Sequence, residues 1–353
     1  MKLNTNNVKK MLSVVSKCKE NKLLEITQYY ELYFHPDGMS ISSTDSVNFI
    51  TVSAPEGACD DEQKVIVKAE QFAKLVNKMT TENIELQVKP DFLQVKGNGT
   101  YKCEIFTDED YPDYEISPDR QYKVSTIDLV HGIQAGKQAK SISAADGVLF
   151  SYLLRNEKVI AADSIKVSYT GLKGFDDEIL IPPALASLIS AIDGDTVTLL
   201  INDDKTNIEI VGKNVVIYGA LAEGPEEYPD VSFMFEEPYK YTCKLDTQAT
   251  LQALDRIQLF VGLYDSGMID LTFTDGALIL STLAGSTEIL PYNAKLENFD
   301  DDIDYRINGQ YLQQLVSSGK GGTVELHFGD DDSIKVVNGD DQFLLATSDG
   351  DDE

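Results

Sequence analysis

The sequence predicts an α+β fold made of three tandem repeats, each with two helices laid on antiparallel sheets. Two observations carry this prediction. One helix-to-strand block occurs three times with constant internal spacing, and the turns before one strand recur at a fixed interval. Self-similarity of this length has to be read before any short motif, because it sets the architecture in which the motifs sit.

The block runs VIVKAEQFAKLVNKMTTENIELQV (65–88), ILIPPALASLISAIDGDTVTLLI (179–201) and YRINGQYLQQLVSSGKGGTVELHF (305–328). Each copy opens extended, then places apolar residues at helical spacing: Phe72, Leu75, Val76; Leu185, Leu188, Ile189; Leu312, Leu315, Val316. Each then alternates as a strand: Ile84, Leu86, Val88; Val197, Leu199, Ile201; Val324, Leu326, Phe328. From the third helix position through the first strand position every copy is nine residues long. A switch from period 3.6 to period 2 at one fixed offset, repeated three times, is not an accident of composition. A further strand closes near Gly97, Gly212 and Gly339.

Asp37, Asn156 and Asp275 mark turns 119 residues apart in each step. EDYPDYEISP (109–118) and EEYPDVSFMFEEP (226–238) end the first two copies. An N-terminal helix is predicted in each repeat: VKKMLSVV from Val8, TIDLVHGI from Thr126 and TQATLQAL from Thr247. The expected division is therefore 1–120, 121–239 and 240–353, the last with a short acidic tail. Helices on one face of antiparallel sheets is the layer scheme this pattern implies.

The formal charge is −29, yet its distribution is uneven. Residues 1–22 and 64–79 hold ten of the 30 basic side chains and two of the 59 acidic ones. Both segments coincide with helices of the first repeat. Val8, Met11, Leu12 and Val15 form one buried stripe, and Phe72, Leu75, Val76 and Met79 the other. Lys10 and Lys17 lie opposite the first stripe, Lys74 and Lys78 opposite the second. Lysines without interleaved aromatics suit phosphate contact, which is independent of base sequence and weakened by salt. The second repeat adds Lys137 and Lys140, the third little beyond Arg256 and Lys320.

Other classes fit less well. His35, His131 and His327 have no cysteine or paired carboxylate at metal spacing, and SSGKGGT (317–323) lacks the spacing of a phosphate loop. No catalytic residue, metal site or cofactor is expected. The acidic runs FDDDID, GDDDS and SDGDDE have no EF-hand arrangement and read as solvated loops and a tail. Cys18, Cys59, Cys103 and Cys243 make no CxxC pair and are expected as reduced thiols in a cytoplasmic protein. No stretch reaches membrane-span length and no signal peptide is expected. An acidic single-copy enzyme and a structural or adhesion protein of repeated β-rich domains remain as alternatives, separable by size and by retention on circular DNA.

In the order of these segments the chain resembles the bacterial-type sliding clamp, the beta subunit of the replicative DNA polymerase. The features that carry it are the triplicated unit, VIVKAEQFAKLVNKM with its following strand, DEDYPDYE, EEYPDVSF and KVIAADSIKVSY. The resemblance implies the DNA-clamp fold, with two protomers closing head to tail into a ring around duplex DNA. It also implies binding of a DNA polymerase and a clamp loader. DNA contact would fall on Lys17, Lys19, Lys22, Lys137 and Lys140, beside the Lys10, Lys74 and Lys78 of the helical faces. Partner peptides would enter a cleft at Ile165, Val167, Pro229, Met234, Asn308, Tyr311 and Leu345. The homodimer contact would set Tyr101, Cys103 and Ile105 against Leu259 and Phe260. Two departures stand out: the family's Gly-His-Arg is Ser164-Ile165-Lys166, and its apolar C-terminal tail is replaced by Ala346-Thr347 followed by SDGDDE. Such divergence would suit a phage-encoded clamp.

Overall fold

The computed structural model describes residues 1–107, 110–223, 227–236, 239–262, 266–292, 299, 301–329 and 332–348. Parts of the two YPD segments and of the acidic runs, and all of the tail beyond Ser348, lie outside the described residues.

The α-helices among these residues are α1 (Thr5–Val15), α2 (Ala69–Asn77), α3 (Thr126–Gly136), α4 (Pro183–Ile189), α5 (Phe233–Glu236), α6 (Thr247–Gln258) and α7 (Gly309–Ser318). Their starts follow from side-chain caps. Asn4, Asp246 and Asn308 accept the first free backbone N–H groups of α1, α6 and α7, a role that short oxygen-bearing side chains perform well. The buried residues of α1 are Thr5, Val8, Met11, Leu12 and Val15, which is the expected stripe. In α2, Phe72 and Val76 are buried while Leu75 stays half-exposed.

The chain divides into two compact units, Met1–Val130 with Pro182–Ala222, and His131–Ile181 with Glu223–Glu353. Among the described residues each contains one eight-stranded and one four-stranded antiparallel sheet. In the first unit the larger sheet runs, in spatial order, Gln63–Lys68, Tyr29–His35, Gly38–Thr44, Phe49–Ala54, Val215–Ala220, Asn207–Val211, Thr196–Asn202, Pro118–Ser125. The smaller is Lys2–Asn4, Asn83–Val88, Phe92–Lys96, Thr100–Glu104. In the second unit the larger sheet is Glu178–Ile181, Tyr152–Arg155, Lys158–Ala162, Lys166–Gly171, Asp341–Ala346, Ser333–Asn338, Thr323–Phe328, Tyr241–Asp246. The smaller is Thr287–Pro291, Ala277–Ser281, Met268–Phe273, Ile303–Asn308.

The joints in the large sheets are distant in sequence. Phe49 faces Tyr218 across one, and Lys166 faces Leu345 across the other. These pairings draw residues 118–130 and 182–222 into the first unit and 131–181 into the second. Turns fall where Asp37, Asn156 and Asp275 mark them, between strands 29–35 and 38–44, 152–155 and 158–162, 268–273 and 277–281. Asn156 and Glu157 are both left-handed (φ 49° and 59°), the backbone that a two-residue hairpin demands. In the second unit α6 and α7 lie together and touch both sheets. Their apolar faces close a core that includes Leu254, Leu312, Leu315 and the stacked pair Phe273 and Phe328, 3.8 Å between ring centres.

Candidate nucleic-acid interface and partner groove

Helices α1 and α2 lie side by side in the first unit, with their apolar stripes turned inward. The Lys9 ammonium ties them by donating to the Met79 carbonyl at 2.8 Å. Lys10, Lys19, Lys22 and Lys78 are exposed, and none pairs with a carboxylate among the described residues. These four are free to meet an anion.

Two expected members of the set are already engaged. Lys17 donates to the Ser190 carbonyl at 2.8 Å and the Ser190 hydroxyl at 3.2 Å. Burial pushes its ammonium below the usual lysine range. Lys74 pairs with Glu70 at 2.5 Å one helical turn away. In the second unit Lys137 is exposed, but Lys140 is half-buried, donates to the Ser141 carbonyl at 2.7 Å and sits 4.5 Å over the Phe150 ring. Burial, and then the neighbouring Lys137 charge, lower its pKa.

The second unit carries an apolar groove of about 420 Å³. Ile165, Val167, Pro229 and Met234, all expected there, line it together with Leu149, Val231, Leu344 and Ala346. An Asx turn forms its rim: the Asp163 carboxylate accepts the N–H groups of Ile165 and Lys166 at 2.7 and 2.6 Å. This holds Ile165 outward, 41% exposed, at the lip. On the other side of Asp163 and Ser164 lies a more polar pocket of about 610 Å³, lined by Tyr311 with Lys137, Lys140 and Ile142. Leu149, Asp163 and Ser164 border both, and Lys166 lines the polar one. It is buried, 3.4 Å from Asp163, and centred 4.0 Å over the Tyr311 ring.

Two expected groove residues play other parts. Leu345 is fully buried in the core of α6 and α7, and its neighbour Leu344 points into the groove. Successive side chains of a strand take opposite faces, so a one-residue difference exchanges core for site. Asn308 caps α7, accepting from Gln310 and Tyr311 N–H and donating to the Ser266 carbonyl. Its effect on the site is therefore through the position of Tyr311. Leu344 and Lys166 were missed. Strand alternation next to Val167 could have found the first. The second needed knowledge that Tyr311, 145 residues on, stacks beneath it.

The strand Thr100–Glu104 pairs on one side only and leaves an open edge. Tyr101 is 39% exposed and Ile105 partly so, but Cys103 is buried against its own sheet. The edge would thus act through its backbone and Tyr101, not through the thiol. Leu259 and Phe260, just past α6, are 80% and 59% exposed. The open edge strand of the second unit, Thr287–Pro291, packs against α6 and shows Ile289, which the sequence reading did not single out. Unpaired edges with apolar side chains are templates for partner strands.

The histidines have structural contacts: His131 with Asp341 at 2.8 Å and His327 with Thr242 at 2.8 Å. Among the described residues no group of three or more His, Cys, Asp or Glu could hold a metal. No helix among them is long and apolar enough to cross a membrane.

The fold over nearly the whole chain is that of the bacterial DNA sliding clamps. It matches the beta subunit from DNA polymerase of Streptococcus pyogenes with a TM-score of 0.86 at 17% identity, covering 98% of this chain and 99% of that one. DNA polymerase III subunit beta from Borrelia burgdorferi, in complex with a natural product, gives 0.85 at 16%, and the Helicobacter pylori beta clamp bound to DNA ligase peptide gives 0.83 at 14%, each covering 99% of both chains. Residues 2–115 match the family described as DNA polymerase III beta subunit, N-terminal domain. Comparison with curated protein sequences gives no match.

Proposed function

We propose that this chain is a non-enzymatic DNA sliding clamp that encircles duplex DNA and holds a replicative polymerase to it. The observation that carries this reading is the group of exposed lysines on α1, on the loop after it and at the end of α2 (Lys10, Lys19, Lys22, Lys78), on an otherwise acidic chain whose fold is a sliding clamp's. Such a group gives sequence-independent attraction to phosphates, and surrounding negative charge opposes adhesion elsewhere. The three sequence repeats, divided near 120 and 239, act as successive clamp modules. Two copies close head to tail, with the open edge at Thr100–Glu104 of one meeting the Leu259, Phe260 and Ile289 region of the other. This heterologous contact closes into a two-subunit ring.

The groove around Ile165, Val167, Pro229, Met234 and Leu344 takes short apolar segments of a polymerase and a clamp loader, and Tyr311 and Lys166 line the polar pocket that adjoins it. The clamp works in the cytoplasm of a bacterial cell, including one infected by a phage. The test is retention after loading: the protein should run as a dimer of the 39.0 kDa chain, remain on closed circular DNA and leave linear DNA by its ends. A monomer that a loader cannot retain on circular DNA would remove the reading.

A further inference from the structure

The joints of the two large sheets carry different side chains at matching positions. In the second unit Val167 pairs with Leu344 across the joint, and both line the partner groove together with Val231. In the first unit Phe49 pairs with Tyr218 across its own joint. Phe49 stands 118 residues before Val167, and the turns leading into the two are alike: Asp45-Ser46-Val47-Asn48 and Asp163-Ser164-Ile165-Lys166. Asp45 accepts the N–H groups of Val47 and Asn48 at 2.9 and 2.7 Å, as Asp163 does for Ile165 and Lys166.

The segments that cross these joints match as well. Tyr111-Pro112-Asp113 stands 117 residues before Tyr228-Pro229-Asp230. Both are anchored by their first tyrosine: Tyr111 donates to the Tyr29 and Ser42 carbonyls at 3.2 and 3.4 Å, and Tyr228 is buried. The next residue is Tyr114 in one segment and Val231 in the other. Three aliphatic side chains of the groove, Val167, Val231 and Leu344, thus have aromatic counterparts in Phe49, Tyr114 and Tyr218.

The rings fill what the aliphatic side chains leave open. Tyr114 stacks on Tyr218 with ring centres 4.2 Å apart and planes 13° apart, and its ring centre is 5.2 Å from that of Phe49. Its hydroxyl donates to Glu209 at 3.0 Å, which fixes the ring in place. In the second unit the crossing segment puts its ring elsewhere: Phe235 stacks on Tyr169 at 4.6 Å. Tyr169 is two residues along the strand from Val167 and on the same face, so this anchor lies beside the groove floor. The first-unit counterpart of Tyr169 is Thr51, which offers no ring.

We propose that Tyr114 is a built-in occupant that closes the first unit's copy of the partner groove, so that each chain offers one groove instead of two. A tethered group competes at an effective concentration on the order of millimolar, and a short peptide at micromolar concentration does not displace it. The inference rests on reading the second unit's groove as a peptide site, and the test separates the two.

The test uses the full chain and an acetylated Ser-Leu-Leu-Phe peptide with a photoreactive benzophenone, mapping crosslinks by mass spectrometry alongside a binding titration. The unaltered protein should bind one peptide per chain, with crosslinks near 163–167 and 229–234. Tyr114→Ala should add a second class near 47–51 and 216–220 and raise the ratio to two. So, independently, should Phe49→Val, Tyr114→Val and Tyr218→Leu combined, which copy the lining of the open groove. Tyr114→Phe keeps the ring and should behave as the unaltered protein. Tyr114 is only half-buried, so the alanine variant should still melt cooperatively. Folded alanine and triple variants that keep one peptide and the first class of crosslinks overturn the proposal. So does the second class appearing in the unaltered protein or in Tyr114→Phe. The second class gained by the variants, with none near 163–167 in any protein, upholds closure by Tyr114 and removes the groove reading. Absence of crosslinks from every protein overturns both.

Discussion

Lys10, Lys19, Lys22 and Lys78 can be changed to alanine together without touching a buried stripe, since all four are exposed. Each lysine that neutralises one phosphate contributes about 0.9 to the slope of log K against log salt on duplex DNA. The quadruple variant should therefore lose up to ~3.6 in slope per chain. That value is an upper bound, because a sliding ring does not engage every lysine at once. The structure also supplies the control. Lys74→Ala removes a charge already paired with Glu70 at 2.5 Å, so its slope change should be a small fraction of that expected for an unpaired lysine. Lys17→Ala should act differently again, loosening the contact to Ser190 and lowering stability more than DNA affinity. The assay is dissociation of loaded clamp from nicked circular DNA across a salt series, with dimer mass measured in parallel. An intact dimer whose quadruple variant keeps the wild-type slope would refute the assignment of this face to DNA.

The remaining predictions concern packing and the groove. Leu345→Ala empties a fully buried site and should cost about 2–5 kcal/mol, read as a lower urea midpoint, whereas Leu344→Ala should chiefly weaken peptide binding. Ile165→Lys should abolish peptide binding at the groove with unchanged melting, and Tyr311→Ala should weaken it while freeing Lys166; wild-type affinity in both would place the partner site elsewhere. Gly132→Ala sets a Cβ 2.6 Å from Val159 Cγ2 and 2.9 Å from Thr170 Oγ1, so α3 must shift, at a cost of about 1–3 kcal/mol seen in thermal melting. Burial pushes the Cys18 and Cys243 thiols up to about 12, so at neutral pH iodoacetamide should label Cys59 far faster. Because those folded pKa values are raised, their stability contribution is complete below the unfolded thiol pKa of about 8.5 and is lost as pH climbs towards 12; equal labelling of all thiols in the native protein would contradict this.

The secondary structure was legible because it depends on periodicity over a few turns. The helices at Thr126 and Thr247 and the strands at Asn83–Val88 and Thr323–Phe328 start within a residue or two of where the apolar spacing places them. The turns at Asp37, Asn156 and Asp275 come from local backbone chemistry and are found between strands. The groove residues Ile165, Val167, Pro229 and Met234 came from resemblance to a family, and they do line one cavity. Nothing in their own spacing would have gathered them.

Local pattern settled the helices, the strands, their buried stripes and the faces on which the lysines lie, since each is a matter of residues three or four apart. Which lysines keep a free charge was decided only by the folded chain. Lys17 finds its partner 173 residues away at Ser190, and no window of sequence contains both. The same holds for the joints of the large sheets, where Phe49 pairs with Tyr218 and Lys166 with Leu345. Those long-range pairings set the register that buries Leu345 and turns Leu344 to the groove, because side chains alternate along a strand and one residue of shift exchanges its faces.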